Sequence, residues 1–135
     1  MPVTLVVAHS SDSERSALVD LLWRVRDLVV VAQVATFEGV LDIVQMRRPD
    51  VVVIELGLLP EQKRFRSGFE TAGAKNLSPL SNIQAIAIAA RADDAAKALA
   101  SRSGAAVLLD RKEARAVLVE TIRRVTGSLG RGAAT

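Results

Sequence analysis

The stretch from Pro49 to Gly57 reads PDVVVIELG. Its β-branched apolar run is too short for a helix and is entered through a proline, which is typical of a strand buried on both faces of a parallel sheet. The run ends in one carboxylate, Glu55. In open α/β sheets, ligands bind at the carboxyl ends of the central strands. Glu55 is therefore the first candidate functional residue.

The composition indicates one folded domain and excludes several classes of protein. Half of the 135 residues are apolar, which argues against disorder over most of the chain. There is no cysteine, which excludes a disulfide scaffold and thiolate metal sites. The N-terminus carries no leader pattern, and no apolar run approaches the roughly 18–20 residues needed to span a bilayer. We therefore expect a cytoplasmic protein with no membrane partner.

The charge and the aromatic content argue against direct binding of nucleic acid. The net charge of +3 is too small to indicate a nucleic-acid interface by itself. A platform for stacking bases is not expected, because the aromatic residues are only Trp23, Phe37, Phe65 and Phe69.

Strand-like and helix-like segments alternate along the chain. The apolar patterns predict strands at 3–8, 28–34, 51–55, 83–89 and 106–109. Helices are predicted after Ser11, after Thr36, around 68–77, at 93–101 and at 113–125, with Ser11 and Glu14 spaced as a capping box. Trp23 is expected in the core or at a helix contact. This alternation predicts an α/β fold, a (βα)5 doubly wound five-stranded parallel sheet with right-handed crossovers. We expect a domain at 1–126 and a flexible tail or the start of a linker at 127–135.

Several short motifs carry a family resemblance that extends over nearly the whole chain. They are Val7-Ala8-His9-Ser10 with Arg15 and Leu18, Arg48-Pro49-Asp50-Val51-Val52-Val53, Leu56-Gly57-Leu58, and Ser103-Gly104-Ala105-Ala106. Together they resemble the receiver domain of bacterial response regulators, and most of all the receivers of NarL/LuxR-type transcription regulators. The resemblance implies the flavodoxin-like receiver fold.

The resemblance also implies where a phosphorylation site would lie. In receivers, two acidic residues after the first strand and an aspartate ending the third strand hold Mg²⁺, and the aspartate accepts a phosphoryl group. A Thr or Ser after the fourth strand and a Lys after the fifth contact the phosphate. The matching positions in this chain are His9 and Ser10, then Glu55, then Ala89 or Ala90, and finally Arg111 or Asp110.

Nearly all of these positions depart from the family pattern. Mg²⁺ prefers oxygen ligands with carboxylates among them, and His9 and Ser10 supply none. Glu55 reaches one methylene further than aspartate, which displaces an in-line geometry. Alanine at 89 or 90 cannot bind a phosphate oxygen. We therefore predict an atypical pseudo-receiver with no metal, no cofactor and no catalytic residue, and we expect that it is not an enzyme.

Two residues of this degenerate pocket keep alternative interpretations. Glu55 can occupy the space of a phosphorylated aspartate and pair with Arg111, or with Lys63, Arg64 or Arg66 of the loop that follows. Alternatively, it is a solvated carboxylate at a strand end. His9 can be a phosphoryl acceptor, a metal ligand or a pH switch, or it is a hydrogen-bonded loop histidine.

Signalling without phosphorylation would depend on protein partners. The resemblance implies regulation of transcription through the face made by the last two helices and the last strand. Its partner would be a second copy of the chain, as a homodimer, or another signalling protein, with DNA bound through a helix-turn-helix domain that is not present in this chain. The charged residues of this candidate dimer face are Lys97, Arg102, Asp110, Glu113, Arg115 and Glu120. The alternative is that they are scattered surface charges that contribute little.

Three other functions remain open. The pocket at His9, Ser10, Glu55 and Ala89 could bind a small molecule, which would make the chain a sensor. The chain could be a working receiver phosphorylated at Glu55 or His9. An unrelated flavodoxin-like enzyme is the third alternative, and it lacks the support of a Gly-rich phosphate loop, a Ser-His-Asp set or paired carboxylates.

Overall fold

The structure is a computed structural model that describes residues 2–58, 84–103 and 105–127, without the side chains of 102 and 103. The helix predicted around 68–77, the basic loop with Lys63, Arg64 and Arg66, and the tail from 128 onwards lie outside the described residues.

Five strands and four helices alternate along the described chain. The strands are β1 (Val3–Ala8), β2 (Leu28–Val34), β3 (Val51–Glu55), β4 (Gln84–Ala89) and β5 (Val107–Asp110). The helices are α1 (Asp12–Trp23), α2 (Phe37–Arg47), α3 (Asp94–Ser103) and α4 (Arg111–Thr126), with a 3₁₀ turn at Leu56–Leu58. All pairings are parallel, in the order β2-β1-β3-β4-β5. This order confirms the predicted doubly wound sheet.

The sheet separates two apolar layers, and β3 contributes to both because it lies in the centre. Val51 and Val53 face the layer that includes the buried side chains of α1 and α4. Val52 and Ile54 face the layer that includes the buried side chains of α2 and α3. All four are fully buried, which confirms the prediction of a strand covered on both faces.

The entry to β3 is fixed by local chemistry. Arg48 ends α2 in the left-handed conformation, with a φ of 46°, and the buried Pro49 follows. The Asp50 carboxylate then accepts hydrogen bonds from the Thr4 backbone N–H (3.0 Å) and hydroxyl (3.3 Å). In return, the Asp50 N–H donates to the Thr4 hydroxyl at 3.1 Å. These bonds set the register of β1 against β3 at the end where both strands begin.

Three details of the prediction are wrong. Trp23 is 70% exposed and is not in the core, the first of the two places expected for it, because the buried face of α1 consists of Leu18, Val19 and Leu22. The final strand begins at Val107, one residue later than expected. The final helix begins at Arg111, two residues earlier than expected. The helix starts early because its N-cap is Asp110, whose carboxylate accepts the Lys112 N–H.

Candidate functional site

The candidate site lies where β1 and β3 end side by side. Ala8, the last residue of β1, pairs with Ile54, so the residues that follow each strand meet at the same edge of the sheet. Ser10 and Glu55 are brought into direct contact there. The sequence placed both residues in one pocket but did not predict a bond between them.

Glu55 accepts two hydrogen bonds from one residue. Its Oε1 lies 2.9 Å from the Ser10 backbone N and 2.7 Å from the Ser10 Oγ. Only 29% of the Glu55 side chain is exposed. Partial burial raises the pKa of Glu55, but the Ser10 hydroxyl, the Ser10 backbone N–H and the charge interaction with His9 together outweigh burial and lower the pKa. Glu55 is thus an anion held at a fixed position by Ser10, which neither of the two interpretations of the sequence included.

His9 is buried, with 8% of its surface exposed. Its Nδ1 accepts the Ser11 backbone N–H at 3.1 Å and lies 3.6 Å from Glu55 Oε1. In this geometry the His9 Nδ1 is an acceptor for the backbone of the loop that leads into α1. The arrangement agrees with the hydrogen-bonded loop histidine among the alternatives for this residue.

The bond from Ser11 to His9 changes how α1 begins. The Ser11 Oγ accepts the Glu14 N–H at 3.3 Å, as expected for an N-cap. The reciprocal bond of the predicted capping box is replaced, because the Ser11 N–H donates to His9 and the Glu14 carboxylate turns towards Arg111. Only half of the predicted capping box therefore forms.

Arg15 organises the loop after β1, a role that the sequence did not indicate. Its guanidinium donates to the His9 carbonyl oxygen at 2.9 Å, to the Gln33 side chain at 3.3 Å and to the Asp12 carboxylate. These bonds connect the start of α1, the end of β1 and the neighbouring strand β2. The only signal for this role in the sequence is that Arg15 belongs to the motif that carries the family resemblance.

Arg111 does not pair with Glu55 as one interpretation of the sequence proposed. Its Nη1 lies 3.5 Å from Glu14 Oε2, and this ion pair links the start of α4 to α1. The correction has a simple cause, since Ser10 already satisfies Glu55 and Glu14 is the carboxylate within reach of Arg111.

Asp110 occupies the end of β5 and bonds to backbone on two sides. It accepts from the Lys112 N–H (2.8 Å) and the Ala92 N–H (3.2 Å), while its own N–H donates to Glu113. The bonds from Lys112 and then Ala92 lower the pKa of Asp110. The Asp110–Glu113 spacing is that of a capping box, so the sequence contains a signal for the start of this helix at Arg111.

The end of β4 offers no polar side chain. Ala89 is buried and Ala90 is exposed. The cavity that lies beside His9, Glu14 and Arg111 has a volume of about 10 Å³, which is space for about one water molecule. A ligand the size of a metabolite, for which pockets are roughly 300–1,000 Å³, does not fit this cavity.

The side chains at this edge do not suit Mg²⁺. The Ser10 hydroxyl and N–H both point their hydrogens at Glu55, so the residue in the position of an acidic ligand acts as a donor. Asp12, the next carboxylate along the chain, is directed to Arg15. Within residues 2–58, 84–103 and 105–127, no group of three or more metal-ligating side chains is present.

The candidate dimer face lies at the opposite edge of the sheet from β2. Lys97, Glu113, Arg115 and Glu120 are exposed on α3 and α4, and Asp110 is half-buried. The side chain of Arg102 lies outside the described residues.

None of the helices in the described part of the chain combines the length and the apolar composition that a membrane-spanning helix needs.

Solved structures similar to this fold include receiver domains of response regulators. The receiver domain of the putative response regulator NarL from Mycobacterium tuberculosis has a TM-score of 0.75 and 21% identity, covering 96% of this chain and 98% of that one. A LuxR-family two-component response regulator from Aurantimonas sp. SI85-9A1 has a TM-score of 0.76 and 18% identity, covering 95% and 87%. A chain in the crystal structure of the P1 domain of CheA3 in complex with CheY6 from R. sphaeroides has a TM-score of 0.72 and 18% identity. The match covers 93% of this chain and 98% of that one.

At these identities the similarity shows the fold, and it confirms the receiver fold expected from the motifs. The sequence itself matches no protein-family model and no curated protein.

Proposed function

We propose that this chain is a pseudo-receiver, a signalling domain of response-regulator type that acts without being phosphorylated. The domain signals by binding another protein chain, and this binding regulates transcription. The proposal combines the receiver fold with the altered chemistry at the ends of β1 and β3.

The observation that carries the proposal is the double hydrogen bond from Ser10 to Glu55. A carboxylate that attacks a phosphoryl group needs a free lone pair directed at phosphorus and a cation to offset the charge of the phosphate oxygens. Here Glu55 Oε1 accepts two hydrogens at 2.9 and 2.7 Å, and no carboxylate stands at position 9 or 10 to help hold the cation. The protein therefore occupies Glu55 Oε1 with its own donors, and positions 9 and 10 supply no carboxylate to help hold the cation.

The same bond suggests how one signalling state is maintained. The Glu55 carboxylate reaches across to the loop after β1 and fixes it through Ser10, at the edge where a receiver would carry its phosphate. We propose that this contact replaces phosphorylation as a permanent constraint on the loop. Arg15 and His9 support it, because they bond to the same short segment.

The proposed output surface is the candidate dimer face on α3, β5 and α4. A second copy of the chain or another signalling protein would bind there. The choice of this surface rests on the resemblance to NarL/LuxR-type regulators, and a protein partner is supported by the similar structure that contains the P1 domain of CheA3 in complex with CheY6. DNA would be reached through a separate domain.

The test is the intact mass of the wild-type chain after incubation with acetyl phosphate and Mg²⁺. We expect no added phosphoryl group on the wild type or on Glu55→Asp, since Glu55→Asp restores the nucleophile but not the acidic pair. A triple variant, His9→Asp/Ser10→Asp/Glu55→Asp, restores all three carboxylates and should acquire the adduct or bind Mg²⁺.

A stoichiometric adduct on the wild type would overturn the proposal. Fragmentation would then identify the acceptor as Glu55 or His9. Loss of the adduct in Glu55→Gln, with retention in His9→Gln, would establish the chain as a working receiver instead.

A further inference from the structure

The strand β2 forms one edge of the sheet and pairs with β1 alone among the described residues. It is seven residues long and reads LVVVAQV, with no charged residue and no proline. Edge strands expose unpaired N–H and C=O groups, and proteins usually protect them with charges, prolines or short length. β2 has none of these three protections.

The opposite edge of the sheet provides a contrast within the same molecule. β5 is only four residues long and ends in Asp110. It is followed at once by Arg111 and Lys112, so that edge is short and flanked by charges. The two edges thus differ in length and in charge within the strand, since β5 carries Asp110 whereas no residue of β2 is charged.

The described residues include three exposed large apolar side chains, one of which lies in β2. They are Val29 within the strand (41% exposed), Trp23 at the end of α1 (70%) and Met46 near the end of α2 (75%). Both helices connect parallel strands and therefore run back to the end where β2 begins, one on each face of the sheet. Trp23 and Val29 therefore lie near the start of β2, while Met46 lies at the same end of the sheet towards β3.

The charges at the two ends of β2 indicate which occupant fits. Arg24 and Arg26 are exposed just before the strand, and Glu38 is exposed just after it, in the first turn of α2. None of the three has an ion pair within the described residues, whereas Asp27 is held by Arg123 at 3.0 Å. A second β2 placed antiparallel would set the arginines of one copy beside the glutamate of the other. A parallel arrangement would place like charges together.

We infer that the outer edge of β2 is a self-association site, at which two copies of this chain pair their β2 strands antiparallel about a two-fold axis. The bulge in the β1–β2 pairing leaves Val31 without a partner in β1, because Leu5 pairs with Val30 and Val6 with Ala32. An axis near Val31 would pair residues 28–30 of one copy with 32–34 of the other. The result is a continuous ten-stranded sheet with an isologous interface.

This site is distinct from the face proposed above, and it does not depend on the loss of phosphorylation. A dimer formed through β2 leaves α3, β5 and α4 of both copies at the far ends of the joined sheet. That candidate dimer face would then be free for a different signalling protein.

The first test is sedimentation velocity of the full chain over a concentration series. We expect a monomer–dimer equilibrium that Val29→Lys weakens on the order of tenfold or more, because it introduces a charge beside the paired edge. The matched control is Ala98→Lys, which adds the same charge at an exposed position on α3 and should leave the dimer unchanged.

The second test is a charge exchange. Arg26→Glu and Glu38→Arg should each weaken the dimer, and the double variant should restore it, because each contact is then reversed rather than removed. Asp42→Arg, at an exposed position further along α2, controls for the change in net charge.

The third test uses the wild type alone, so it does not depend on a variant that folds. Amide hydrogen exchange of residues 28–34 should slow as the protein concentration rises into the dimer range. The inference is overturned by a chain that stays monomeric, by a dimer that Ala98→Lys breaks and Val29→Lys does not, by unchanged exchange in β2, or by open-ended aggregates in place of a discrete dimer.

Discussion

Replacing Ser10 by alanine tests the chemistry on which the proposed function rests. The substitution removes the 2.7 Å hydrogen bond to Glu55 Oε1 and keeps the 2.9 Å bond from the backbone N–H. Hydrogen bonds to charged groups contribute about 1.5–3 kcal/mol, and water replaces part of this one because Ser10 is exposed. We therefore expect Ser10→Ala to lower the free energy of unfolding at pH 7 by about 1 kcal/mol.

The pH dependence of this loss follows from the pKa of Glu55, which is lowered in the folded state. A group with a lowered folded pKa contributes stability that is fully present above its unfolded pKa and is lost as the pH falls through its folded pKa. Ser10→Ala removes the largest of the interactions that lower this pKa. The difference between wild type and variant should therefore be full at pH 7 and should shrink below the ordinary pKa of glutamate.

Urea unfolding at pH 7 and at about pH 3 measures both quantities. Ser16→Ala, at an exposed position on α1, is the matched control and should shift stability by about 0.5 kcal/mol or less, equally at both pH values. The reasoning is refuted if the Ser10→Ala difference is the same at both pH values, or if the pKa of Glu55, followed by carboxyl-carbon NMR, does not rise in the variant.

Two backbone positions give further predictions. Arg48→Gly should leave the free energy of unfolding unchanged or raise it by up to about 1 kcal/mol, because Arg48 has a φ of 46° that glycine adopts without strain, whereas Arg47→Gly in the helix should lower it by about 1 kcal/mol. Chemical unfolding of the pair decides this, and equal effects would contradict it. Gly39→Ala would place a Cβ 2.9 Å from Val34 Cβ and should lower the thermal midpoint. Gly57→Ala should change it little, because among the described residues that are not its chain neighbours the nearest heavy atom is Glu55 Oε2 at 3.8 Å. Similar midpoints for the two variants would show that α2 moves to accept the methyl group.

The fold was accessible from the sequence because its strands are short, β-branched and regularly spaced. β1 and β2 occupy the predicted residues, and β3 is buried on both faces as its unbroken apolar run indicated. The ends of elements were less accessible. The start of α4 depends on a capping box at Asp110, and Trp23 is exposed although its residue type favours burial.

The site was predicted in position but not in connectivity. Parallel strands bring their carboxyl ends to one edge, so the meeting of Ser10 and Glu55 follows from topology. Which cation or donor a carboxylate selects depends on distances of a few ångströms, and these are set by loop conformation. For this reason one interpretation of the sequence paired Arg111 with Glu55, whereas in the structure Arg111 forms its ion pair with Glu14.

The order of the strands also has a consequence for synthesis of the chain on the ribosome. β2 can pair with β1 as soon as both have emerged; β3 then joins the free side of β1, β4 joins β3, and β5 joins β4. The sheet therefore grows in one direction while its other side is finished first. The outer side of β2 is covered by no later strand of the described residues, so the proposed self-association site is complete once β1 and β2 have paired.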